Sequence, residues 1–333
     1  MTTTALVESP AQLLNVLEWA HAQGTDDLCI TVLAPRQEQS RQQLHRMSEL
    51  AGAVGHRLDW QEPRASRSAG LASVRALSGQ LRATDQLVLG DPFSGLMQLV
   101  LGLSRIQQLV VVDDGSATLE FVERLESGGD LVRWHRAGRS RPLAALARRR
   151  LTARPGRSVQ LFTAMPVESS AVTVVRNSFG WSRRRYPAPV LLETTDLVGT
   201  SLVETGVVEL DRYLRGVELL AGRHGVSRYL AHRRESAAKL SRIEALGLDI
   251  VRPDLPLELW VRRSPIGRTV LSFPSTVVHT LPVVLRGLGV SVSCCDIDND
   301  WFTHQASPHS QRFLTTVTRT ARLTYGLSSV AAA

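Results

Sequence analysis

The chain has 333 residues, 43% of them hydrophobic and 21% charged, with a formal net charge of +8. That length is more than one hydrophobic core usually organises, so two domains are expected. No apolar run reaches the ~18–20 residues of a membrane span, no basic-then-apolar signal pattern opens the chain, and three cysteines (Cys29, Cys294, Cys295) make no disulfide framework.

Ser9-Pro10 reads as a helix start, with serine as the cap and proline in the first turn. Leu13, Leu14, Val16, Leu17 and Ala20 continue it at helical spacing. The run 28–35 (LCITVLAP) is apolar throughout, as strands inside parallel sheets are. Next come a helix over 38–54, a strand at 56–60, a helix over 69–82 and a strand at 86–91 (QLVLGD). A helix over 94–103, the strand QLVVVDD (108–114) and a helix capped by Ser116 complete a first α/β series.

A second series opens with a strand at 158–165. Residues 187–197 cross toward a helix over 209–223, then a strand SRYLAHR (227–233) and a helix through Lys239 and Leu246. Strands are expected in DLPLELWVRR (254–263), RTVLSF (268–273) and VSVSCCDI (290–297), with helices over 275–286 and 308–325. The domains are expected at 1–165 and 166–333, with the last helix a candidate to pack back toward the first domain.

Several chemistries lack their signatures. No GxGxxG follows the first strand and no GxxxxGK[ST] occurs. His279, His304 and His309 lack metal-ligand spacing. Asp296, Asp298 and Asp300 lack the glycine and closing glutamate of a calcium loop, so no metal or other cofactor is expected.

Other features carry chemistry. Asp113 and Asp114 end a buried strand before Gly115, where open α/β sheets bind ligands and where one of two adjacent carboxylates can act as a base. The same residues also suit an ordinary capped turn. His232, Arg234 and Glu235 end a strand in the second domain. Glu258 in an apolar strand needs a partner, either a ribose diol or an arginine. Ser272, Ser275 and Thr276 precede a helix, as phosphate sites do and as simple caps do. Of 39 basic side chains only Lys239 is lysine, and nine arginines between 133 and 157, Arg148, Arg149 and Arg150 among them, share a stretch without any acid. That stretch is either an anion-binding surface or a solvated face.

In order, DDG at a strand tip, Y-x-x-H-x-R-E, P-x-E and S-x-P-S-T before a helix resemble the bacterial sialyltransferases, above all the polysialyltransferase and lipooligosaccharide branches. The resemblance spans most of the chain. It implies an α/β, GT-B-like fold of two Rossmann-like domains with parallel sheets facing an interdomain cleft. It also implies metal-independent, inverting transfer of sialic acid or a relative such as Kdn from its CMP conjugate to a glycan or glycolipid hydroxyl. In this picture Asp113 or Asp114 is the base, His232 meets the donor phosphate as a cation, and Glu258 holds the cytidine ribose. Ser272, Ser275 and Thr276 hold the phosphate, with Gly115 and Arg234 beside the donor. One position departs from the pattern: Arg233 stands where the family has proline. Arg148, Arg149 and Arg150 are expected to face an anionic acceptor. The expected setting is the bacterial cytoplasm, with peripheral contact at the inner membrane face and no specific nucleic acid. Two alternatives stand beside it: a GT-B transferase using another nucleotide sugar, and a non-catalytic arginine-rich polyanion binder.

Overall fold

The computed structural model describes residues 1–113, 115, 117–132 and 142–331, and of His309 the backbone alone. Asp114, the Ser116 cap, and Arg133, Arg136, Arg139 and Arg141 lie outside the described residues. The chain forms two compact units, Met1–Trp181 and Ser182–Ala333.

In the first unit seven strands form one parallel sheet. They are β1 (Thr3–Val7), β2 (Cys29–Leu33), β3 (Arg57–Gln61), β4 (Gln86–Leu89), β5 (Gln108–Val112), β6 (Ser158–Thr163) and β7 (Thr173–Arg176). Their order is β3-β2-β1-β4-β5-β6-β7. Among the described residues this part of the chain has the helices α1 (Pro10–Gln23), α2 (Glu38–Ala53), α3 (Arg67–Leu81), α4 (Gly95–Leu103), α5 (Ala117–Glu126) and α6 (Pro142–Arg150). Parallel pairing requires such crossovers. Strand order reverses direction between β1 and β4, which makes a switch point.

Strand β1 is absent from the sequence reading, yet it is buried along its whole length. Its five residues, TTALV, are too few to show a period and begin without a turn signal. Strand β7 joins β6, which is why the first unit runs to Trp181 and not to 165.

The second unit follows the same plan. After α7 (Gly180–Arg185), inside which the division falls, come β8 (Leu191–Val198), α8 (Leu210–His224), β9 (Val226–Leu230), α9 (Ala237–Glu244), β10 (Asp249–Val251) and α10 (Leu257–Arg263). Then follow β11 (Ile266–Ser272), α11 (Val277–Val284), β12 (Ser291–Asp296), α12 (Pro308–Tyr325) and β13 (Ser328–Ala331). The sheet is parallel in the order β10-β9-β8-β11-β12-β13, with its switch point between β8 and β11. Helix α12 packs on α11 and β12 of its own unit. The strand expected at 254–263 is helix α10. Pro256 caps its start, and a short apolar run such as LELWV has no period to separate the two states.

Tyr213, Tyr229, Phe273 and Trp301 are the large core side chains of the second unit. Gly216 of α8 lies flat on the indole: a Cβ there would stand 1.9 Å from Trp301 Cη2. Gly216→Ala is therefore expected to cost about 2–3 kcal/mol by overpacking. Gly222→Ala in the same helix, with nothing within 4 Å, should gain up to about 1 kcal/mol from helix propensity. Urea unfolding of both variants checks this, and equal shifts would contradict the packing. Among the described residues no helix is long and apolar enough to cross a membrane.

Candidate functional site

At the C-terminal edge of the second sheet, the tip of β9 delivers Ala231, His232, Arg233 and Arg234 ahead of α9. Ser236 caps α9 by accepting the Lys239 amide. Glu235 holds this loop. Its Oε2 accepts the His232 backbone N–H at 2.6 Å, and its Oε1 accepts Tyr229 Oη at 2.6 Å and faces Lys239 Nζ at 2.7 Å. Tyr229 and Tyr213 share a hydroxyl contact of 2.6 Å. Lys239 Nζ donates to the Thr200 carbonyl at 2.8 Å, approaches Glu204 at 3.5 Å and sits 4.0 Å from the Tyr213 ring centroid.

Gly199 at the tip of β8 permits this approach, since a Cβ would stand 2.4 Å from Glu235 Oε2 and 2.5 Å from Tyr229 Oη. Burial pushes the Glu235 carboxyl up, while Lys239, Tyr229 and the His232 amide pull it down. Lysine suits this place because a compact ammonium can meet a carboxylate, a carbonyl and a ring face together. The signal in the sequence is Lys239 itself, the single lysine among 39 basic side chains.

His232 is partly buried, and its Nδ1 accepts the Arg234 N–H at 3.2 Å, which places the ring proton on Nε2. Burial lowers its pKa to about 3, with Arg233, Arg234 and Lys239 adding repulsion. The cationic histidine expected from sequence is thus corrected: the imidazole is neutral and offers one donor.

Across the switch point, β11 ends in Ser272, which is buried and donates to the Phe273 carbonyl at 3.0 Å. It stands 3.5 Å from Ser275 Oγ and so staples the turn from within. Ser275 and Thr276 are half-exposed at the start of α11. Thr276, at the N-cap position of α11, makes no side-chain cap bond, while the Val278 and His279 N–H groups of the first turn donate to the Ser275 and Thr276 carbonyls at 3.4 and 2.9 Å. What this turn offers an anion is therefore the Thr276 hydroxyl and the Ser275 hydroxyl shared with Ser272. Glu258 stands on α10, and its Oε1 accepts Thr280 Oγ1 of α11 at 2.8 Å. The structure thus brings His232, Ser275, Thr276 and Glu258 to one unit, with Ser272 as support and Arg234 exposed at the rim.

In the first unit Asp113 is buried at the β5 tip. Its carboxylate accepts Gly115 N at 2.9 Å, Thr118 Oγ1 at 2.5 Å, Thr163 Oγ1 at 2.8 Å and Ala164 N at 3.2 Å. Burial pushes its pKa up against these four donors. Gly115 has φ 70° and closes the turn. At the switch point Glu8 is paired with Arg64. Arg148, Arg149 and Arg150 lie at the opposite edge of the sheet. Arg150 donates to the Ile106 carbonyl at 2.6 Å, just before β5 begins, and Arg157, just before β6, donates to the Arg149 carbonyl at 2.9 Å. The arginines expected beside the acceptor are therefore far from the β5 tip. No cluster among the described residues could hold a metal. Asp296 pairs with Arg322, and Asp300 with Arg212 at 2.7 Å.

No protein-family model matches the chain, and no curated protein does. Solved structures do. A protein assigned as UDP-N-acetylglucosamine 2-epimerase from Listeria monocytogenes matches with TM-score 0.52 and 11% identity, over 90% of this chain and 80% of that one. The UDP complex of MnaA from S. aureus matches with TM-score 0.52 and 10% identity, over 98% of this chain and 92% of that one. UDP-N-acetylglucosamine 2-epimerase from Neisseria meningitidis, bound to its UDP-sugar, reaches 0.49 at 12% identity, over 97% and 91%. The chain has the GT-B-like fold of two Rossmann-like parallel-sheet domains that its motifs implied. The sialyltransferase resemblance, and with it a CMP-sugar-dependent enzyme, is overturned: the matching structures are UDP and UDP-sugar proteins. The residues explain the misreading. The P-x-E segment is a helix and the first DDG carboxylate is enclosed by four donors, so short motifs in the right order did not bring the implied geometry with them.

Proposed function

We propose that this chain is an enzyme acting on a UDP-linked sugar, and that epimerisation at C2 of UDP-N-acetylglucosamine is the reaction to test first. The observation that carries the proposal is the second switch point. There the start of α11 offers Ser275 and Thr276, the β9 tip offers the His232 Nε2–H, and Glu258 stands one helix away. A diphosphate suits a helix N-terminus flanked by neutral donors. Chemistry at the sugar carbons next to the diphosphate pushes electron density onto it, and donors already aimed there stabilise that charge. Glu258 keeps one carboxylate oxygen for a ribose or sugar hydroxyl. The matching structures named for UDP and UDP-sugars support the choice of nucleotide.

The test is incubation of the full chain with UDP-N-acetylglucosamine, followed by proton NMR of the anomeric region. A second UDP-sugar signal is expected, reduced about 100-fold or more in rate by His232→Ala. Unchanged substrate under conditions where it binds would overturn the enzymatic reading. Release of UDP without an epimer would move it to sugar transfer.

A further inference from the structure

The arginine-rich helix α6 of the first unit is not among the residues proposed to hold the nucleotide sugar. It packs beside α4, and Gly102 of α4 lets the two approach: a Cβ there would stand 3.0 Å from Leu146 Cδ2 and 3.9 Å from Leu143 Cδ2. Three leucines of this pair stay in solvent: Leu103 is 56% exposed, Leu143 38% and Leu146 39%. They are neighbours, because Leu143 and Leu146 flank Gly102 and Leu103 follows it. Half-buried Leu96 and Leu99 extend the stripe along α4 at helical spacing.

Arginines gather at one end of this stripe. Arg105 follows Leu103, Arg150 is bonded to the Ile106 carbonyl, and Arg157 to the Arg149 carbonyl. Arg105, Arg149 and Arg154 are exposed. Burial lowers the Arg150 and Arg157 pKa values, and repulsion from Arg154 lowers both further, so these cations crowd one another.

We propose that the α4–α6 face docks on an anionic lipid bilayer, with Leu103, Leu143 and Leu146 entering the acyl boundary and Arg105, Arg149 and Arg154 meeting lipid phosphates. An apolar stripe rimmed by arginine is the pattern of interfacial helices. A second copy of the chain fits poorly, since neither 95–112 nor 142–157 contains an acid that could pair with these arginines. A nucleic acid would satisfy the arginines and leave the leucines in water.

The experiment is flotation of the full chain with phosphatidylcholine vesicles, with and without phosphatidylglycerol at roughly one lipid in three. Wild type should float only with the anionic vesicles. Leu103→Ser/Leu146→Ser, which changes no charge, should weaken this at least about tenfold at any salt. Arg149→Glu should weaken it about 25-fold at low salt and less at high salt. All these positions are exposed or half-exposed, and circular dichroism confirms folding. No flotation, or flotation indifferent to the leucine variant, overturns the proposal, the latter indicating a polyanion site. A dimer in sedimentation equilibrium that the leucine variant dissociates also overturns it, assigning the face to a second copy.

Discussion

Lys239→Met is expected to cost about 3–5 kcal/mol in urea unfolding. The reason lies in the surroundings of Glu235, whose side chain is fully buried and whose partner Lys239 is 1% exposed. Removing the ammonium leaves a carboxylate facing a tyrosine hydroxyl and one amide, too little to replace hydration. The second variant, Lys239→Met with Glu235→Gln, should recover part of the loss, because no charge remains and the amide oxygen still accepts from Tyr229, while the amide N–H now faces the His232 N–H and keeps the recovery incomplete. A loss below about 1 kcal/mol in the single variant would mean that water reaches Glu235, and the tyrosine–glutamate–lysine network would lose its structural role.

Asp113→Asn is expected to cost about 3 kcal/mol or more. Four donors converge on the carboxylate, from Gly115, Thr118, Thr163 and Ala164, and an amide turns one of its own N–H groups against them. The side chain ties the β5 tip to the end of β6 and the first turn of α5, so the loss is one of architecture. Urea unfolding checks it. An unchanged midpoint together with lost turnover would instead make Asp113 a catalytic carboxylate.

The parallel sheets were legible because buried strands and capped helices alternate along the chain. QLVLGD became β4, SRYLAHR ended as β9, and Pro308–Tyr325 is α12 with Ser307 as its cap. Elements defined by pairing and not by pattern were not legible: β1, β7 and β13 are four or five residues long and owe their state to neighbouring strands. At the site, the histidine and the serine–threonine turn could be located from sequence, since they end buried strands. Their states could not. The neutrality of His232 comes from burial and the Arg234 amide, and two of the four donors on Asp113, Thr163 and Ala164, stand about fifty positions along the chain. Nucleotide choice was not legible for the same reason: short motifs name residue types, and the geometry that selects a base is long-range.

The most direct test of the central claim is calorimetric titration of the purified chain with UDP and with CMP, in wild type and in Glu258→Ala. UDP should bind at least about tenfold more tightly than CMP, and Glu258→Ala should weaken UDP binding by about the same factor. Binding of neither nucleotide, or a preference for CMP, would contradict the assignment of a UDP-sugar site to the second switch point.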